Sequence, residues 1–122
     1  MSPTELDFEA VGLHDLDAMS DGERDILPFG VVGFAADTIV QIYNATEARM
    51  SGLDPAIVIG VPFFDAVAQC MNNFMVAQRF KDEAELADVF PYVLTLRMRP
   101  TKVRLRLLAT AQTPRRYVLI ER

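Results

Sequence analysis

The spacing of apolar residues changes twice along this chain. From Val89 to the last residues they tend to recur every second position, the period of a half-buried strand. The cleanest case is Lys102–Thr110. Val103, Leu105 and Leu107 share one face there, and Lys102, Arg104 and Arg106 share the other. Arg99-Pro100-Thr101 reads as a turn before it and Ala111–Pro114 as a loop after it, so Val89–Met98, Lys102–Thr110 and Arg115–Arg122 are three expected strands. Phe29–Ala35 and Thr38–Tyr43, rich in Val, Ile and Phe and joined by Ala36-Asp37-Thr38, are two more.

Between these runs the pattern is helical. Asn44 ends a strand and can N-cap a short helix, Ala45–Met50, with Glu47 at the third position and Gly52 as its stop. Asp54-Pro55 opens another short helix, which Gly60 closes. Phe63-Phe64 anchors a third helical segment toward Cys70. Met71–Leu86 is the longest expected helix, with Phe74, Met75, Val76 and Phe80 as its apolar stripe and Lys81, Asp82, Glu83 and Glu85 at its solvated end. Ahead of all this, residues 5–19 place Leu6, Phe8, Val11, Leu13, Leu16 and Met19 at spacings that suit one or two helical turns broken at Gly12. Ser20 and Glu23 form a capping-box pair. Strands in two runs with helices between predict an α+β domain: a five-stranded antiparallel sheet with helices packed on one face.

Composition narrows the class. The chain has 122 residues, enough for one domain with a real core. No apolar run approaches the ~20 residues of a membrane span, and MSPTELDFEA lacks the order of a signal peptide, so a cytoplasmic setting is expected. One cysteine and one histidine allow neither a disulfide within the chain nor a zinc cluster. Charge is polarised: residues 1–25 carry eight acids and one base, residues 97–122 eight bases and one acid. A basic segment raises nucleic acid as a partner. Without aromatic stacking platforms, and with an acidic segment to neutralise it, the plainer reading is a contact within the molecule.

The candidate chemistry lies in Tyr43–Cys70, which holds the only thiol, a phenol and carboxyl four residues apart (Tyr43 and Glu47), and Ser51. Taken singly, these remain a buried inert thiol, an edge tyrosine and a surface helix acid. Together they suit a pocket for one small, covalently held molecule. His14, the only histidine, reads as a surface residue.

Four runs, MSDGERDILPFGVV (19–32), YNATEARMSGLDP (43–55), IGVPFFDAVAQC (59–70) and MRPTKVRL (98–105), resemble the photoactive yellow protein family of PAS-type blue-light photoreceptors. The resemblance implies a PAS fold, with residues 1–25 as an N-terminal cap on the sheet face opposite the helices and 26–122 as the core. It implies a p-coumaric (4-hydroxycinnamic) acid chromophore held as a thioester on Cys70, with Tyr43 and Glu47 hydrogen-bonding its phenolate. Ser51 stands where the family usually has a threonine supporting the tyrosine, and Phe63, Val67 and Met98 match pocket-lining residues. Leu53 replaces an arginine that covers the pocket, and Leu96 replaces a pocket tyrosine. The implied activity is not enzymatic: trans–cis photoisomerisation, proton transfer from Glu47, and partial opening to a signalling state. The implied partners are the chromophore and a downstream signalling protein, with no nucleic acid and no membrane, and the chain acting as a monomer or weak homodimer. Leu53 and Leu96 support an alternative, a light-insensitive PAS ligand-binding or interaction module. A cysteine acyl-transfer enzyme is the third reading; it needs a base near Cys70, and His14 falls in the expected cap.

Overall fold

The computed structural model describes residues 7–95 and 99–122; Leu6, Leu96 and Met98 lie outside the described residues. Its centre is a five-stranded antiparallel sheet in the order β2-β1-β5-β4-β3. The strands are β1 (Gly30–Phe34), β2 (Val40–Tyr43), β3 (Leu86–Leu94), β4 (Thr101–Ala109) and β5 (Arg116–Glu121). Pro91 sits in β3, an edge strand, where a missing N–H is tolerated. The helices are α1 (Leu13–Ala18), α2 (Asp21–Asp25), α3 (Ala45–Ser51), α4 (Pro55–Val58) and α5 (Ala77–Asp82).

The sheet is covered on both faces, so β1 is buried along its whole length and β5 at all but its two end residues. On the helix side, Val103, Leu105 and Leu107 join Val32, Phe34, Val118 and Ile120 in one cluster with Phe63, Phe64 and Phe80. Phe34 stacks on Phe63 at 5.9 Å and meets Phe80 edge-on at 5.1 Å. Burial of each such side chain contributes about 1.5–3 kcal/mol. On the other side, Phe8, Val11, Leu13, Leu16 and Leu27 cover Val31, Leu108, Tyr117 and Leu119.

The acidic N-terminal segment meets the basic face of β4, as the charge pattern suggests. Arg104 pairs with Glu9 and Glu121 and lies 5.1 Å from the centre of the Phe8 ring. Arg106 donates to the carbonyls of Phe8 and Val11. Tyr117 donates to Asp17 at 2.5 Å, with Arg115 alongside. Ser20 and Glu23 form the expected capping box. Arg24, almost wholly buried, donates to the carbonyls of Leu16 and Met19 at 2.7 and 2.6 Å.

Met71–Leu86 is not one helix. Only Ala77–Asp82 is α-helical, and β3 begins at Leu86. The cause is Asn73. Its Oδ1 accepts from the N–H groups of Met75 and Val76, satisfying them locally in place of a helical ladder. Phe74, expected on the apolar stripe, is exposed as a result.

Candidate functional site

Asn44 organises the site. As the N-cap of α3 it accepts from Glu47 N–H at 3.0 Å, and the same oxygen accepts from Val31 N–H at 2.9 Å. Its amide donates to the carbonyls of Arg24 and Phe29 at 2.9 and 3.1 Å. One buried side chain therefore fixes α3 to β1 and to the end of α2. Tyr43, the last residue of β2, and Glu47, in the first turn of α3, are placed by that join. Thr46 adds a hydrogen bond to the Leu27 carbonyl at 2.5 Å. Gly52 ends α3 in the left-handed region, φ 76°, which a glycine adopts without strain.

Ser51 closes α3 and shares a 2.8 Å hydrogen bond with the Tyr43 hydroxyl, while its oxygen accepts from Leu53 N–H at 3.2 Å. Burial, and secondarily the Glu47 charge, push the Tyr43 phenol up to about 12. Glu47 is 1 % exposed. Arg122 grips it in a two-pronged pair, at 2.7 Å to one oxygen and 3.1 Å to the other. Burial raises the Glu47 carboxyl above the ordinary carboxylate range, and the Arg122 guanidinium opposes that rise. Across from it lies Gly30, where an added Cβ would overlap Glu47 Oε1.

Cys70 is a free, half-buried thiol in the short helical turn Gln69–Met71. Its carbonyl accepts from the Tyr92 hydroxyl at 2.6 Å and from Asn73 Nδ2 at 3.1 Å; Asn73 also donates to the Tyr92 oxygen at 2.7 Å. The turn carrying the thiol is thus pinned to β3.

Tyr43 and Phe63 belong to the helix-side core, and Leu53, Val67 and Cys70 pack against it. Ser51 lines a cleft of about 490 Å³ with Leu94, Arg99, Thr101 and Arg122. The structure therefore gathers Tyr43, Ser51, Leu53, Phe63, Val67 and Cys70 on one side of the sheet, with Glu47 buried beside Tyr43 but bonded to Arg122. Leu96 and Met98 lie outside the described residues. Arg122, Gly30, Asn73 and Tyr92 enter the site without having been singled out in the sequence.

No family model matches the chain. It is 40% identical over 89 residues to the photoactive yellow protein of Halochromatium salexigens, an alignment that spans 70% of this chain and 71% of that one. Among solved structures it is similar to the photoactive yellow protein domain of the sensor histidine kinase Ppr from Rhodospirillum centenum. That match has a TM-score of 0.82 and 31% identity over 89% of this chain and 98% of that one. A PAS domain of an HTR-like protein from Haloarcula marismortui matches with a TM-score of 0.66 at 16% identity, over 90% of this chain and 98% of that one, a likeness of fold alone.

Proposed function

Because the chain belongs to the photoactive yellow protein family, we propose that it is a blue-light photoreceptor whose p-coumaric acid chromophore is held as a thioester on Cys70. The observation that supports this reading most is the shared placement of the phenol, carboxyl and thiol. Tyr43 and Glu47 are buried side by side, and the described chain's one free thiol packs against the same core as Tyr43. That donor set fits the group: a thiol to carry the acyl carbon, and for a phenolate the Tyr43 hydroxyl together with the Glu47 carboxyl in its protonated form. When bound, the chromophore supplies the absorption of blue light and the trans–cis change of its vinyl bond.

The residues of the chain do the rest. Tyr43, whose hydroxyl shares a hydrogen bond with Ser51, would accept from Ser51 and present its own O–H to the phenolate. Glu47 would hold its proton in the dark, because burial and the negative charge of a neighbouring phenolate together outweigh the Arg122 guanidinium that opposes them. After illumination Glu47 would give that proton to the phenolate oxygen of the bound chromophore. Its carboxylate is then left inside the core, where an unrelieved buried charge costs several kcal/mol. A domain of this size has only ~5–15 kcal/mol of stability, so partial opening follows, and residues 1–25 act as a cap that the opening releases. Phe63, Val67 and Leu53, which belong to or pack against the same core as Tyr43, would line the pocket. The Rhodospirillum centenum relative is a domain of a sensor histidine kinase, which supports a role upstream of a signalling partner.

The test is E47Q. The variant is expected to bleach in blue light yet bind less of a hydrophobic dye in the bleached state than the wild type. Equal opening in the two proteins would defeat the mechanism.

A further inference from the structure

We infer that Arg122 is a positioning residue for Glu47: it takes hold of the carboxylate once the proton has left and so sets how long the ionised state lasts. The inference rests on the photoreceptor reading above. A guanidinium donates and never accepts, so it answers the two protonation states of Glu47 unequally. An ionised carboxylate takes both prongs in a charge-assisted pair, which is the geometry seen at 2.7 and 3.1 Å. A neutral carboxyl that directs its O–H elsewhere offers Arg122 one weaker acceptor.

Little else in the surroundings can play this part. Among the described residues, the charged or titratable side chains that act on Glu47 or Tyr43 are these two themselves and Arg122, which lies just past β5. β1 faces the carboxylate with Gly30, whose missing side chain leaves the space the glutamate occupies. The Arg122 and Glu47 side chains are 13% and 2% exposed, so water screens the pair poorly. Arg122 also has a second neighbourhood. It lines the cleft shared with Ser51 and Leu94, and a second one on the cap side with Phe8, Glu9 and Arg104. The residue that answers the charge on Glu47 therefore stands between α3 and the N-terminal segment. This gives the charge a physical route to the cap.

R122Q and R122K test the assignment in two ways. In chromophore-free protein, a carbon-13 NMR titration of the Glu47 carboxyl should show its midpoint rise by at least one pH unit in R122Q, with part of that rise reversed in R122K. In chromophore-loaded protein, dark recovery after a flash should be at least threefold faster in R122Q, because the carboxylate is no longer held and retakes its proton sooner. The same substitution in an E47Q background should leave recovery unchanged. An unmoved midpoint, or an equal change of recovery in both backgrounds, would overturn the assignment. A midpoint that moves in a protein whose visible band never bleaches would leave the ion pair standing but overturn the photoreceptor reading and Arg122's part in it.

Discussion

Replacing Asn44 by alanine should damage this fold more than any other single polar change at the site. The side chain is 2 % exposed and makes four hydrogen bonds. Loss of an N-cap costs about 1 kcal/mol. The Val31 N–H and the Phe29 carbonyl lose their partner as well, and a buried group left unsatisfied costs roughly 1–3 kcal/mol. The Arg24 carbonyl keeps the Leu27 N–H. With water reaching part of the gap, the loss should be about 3–4 kcal/mol, a large share of the ~5–15 kcal/mol available. Urea denaturation of N44A should show the midpoint fall with the slope unchanged, and the thermal midpoint should drop by roughly 10–15 °C for a chain of this length. N44D separates the contributions. It keeps the cap oxygen but sets an acceptor against the Arg24 and Phe29 carbonyls, so it should be destabilised by a similar amount. A loss under about 1 kcal/mol in both variants would refute the idea that this one amide holds α3 in place.

Three further outcomes follow from the same contacts. G30A should destabilise by about 1–3 kcal/mol through overpacking against Glu47. It should be nearly neutral in an E47A background, and equal losses in both backgrounds would show that the glycine serves something else. The Tyr43 phenol is raised by burial to about 12, against ~10 when unfolded. Between those values the unfolded chain has released a proton that the folded one keeps, so stability of the chromophore-free protein should fall as pH rises from about 10 to about 12. Y43F should flatten part of that fall in a denaturation series. R104A removes the pairs with Glu9 and Glu121, exposed contacts that water and salt screen. It should barely change stability, but added salt, by screening these pairs, is expected to slow dark recovery in the wild type and to slow it less in R104A.

Much of the architecture was legible because it is written in local periods. The two faces of β4 separate cleanly in the alternation of Val103, Leu105 and Leu107 with Lys102, Arg104 and Arg106, and both faces found the partners their chemistry called for. The caps at Ser20 and Asn44 were legible because capping is a three-residue relation. The long helix over Met71–Leu86 failed because its apolar stripe outweighed Asn73, whose side chain captures the N–H groups a helix would need. Arg122 was hidden for another reason. Its partner Glu47 lies 75 residues away, and only the placement of β5 beside β1 brings the two together. Read alone, Arg122 was one of eight bases in a charged segment. The bond from Tyr92 to the Cys70 carbonyl spans 22 residues and depends equally on tertiary structure.

On the proposed function, Cys70 carries a light-absorbing acyl group in the pocket built by Tyr43 and Glu47. Intact-protein mass spectrometry, followed by peptide mapping, tests it most directly on protein made with and without a supply of activated p-coumaric acid. One coumaroyl adduct is expected, on the peptide containing Cys70, that appears only with the supply, is absent in C70A, and accompanies a visible band that blue light bleaches reversibly. A wild-type protein that takes up no adduct under that supply, or an adduct that survives in C70A, would contradict it.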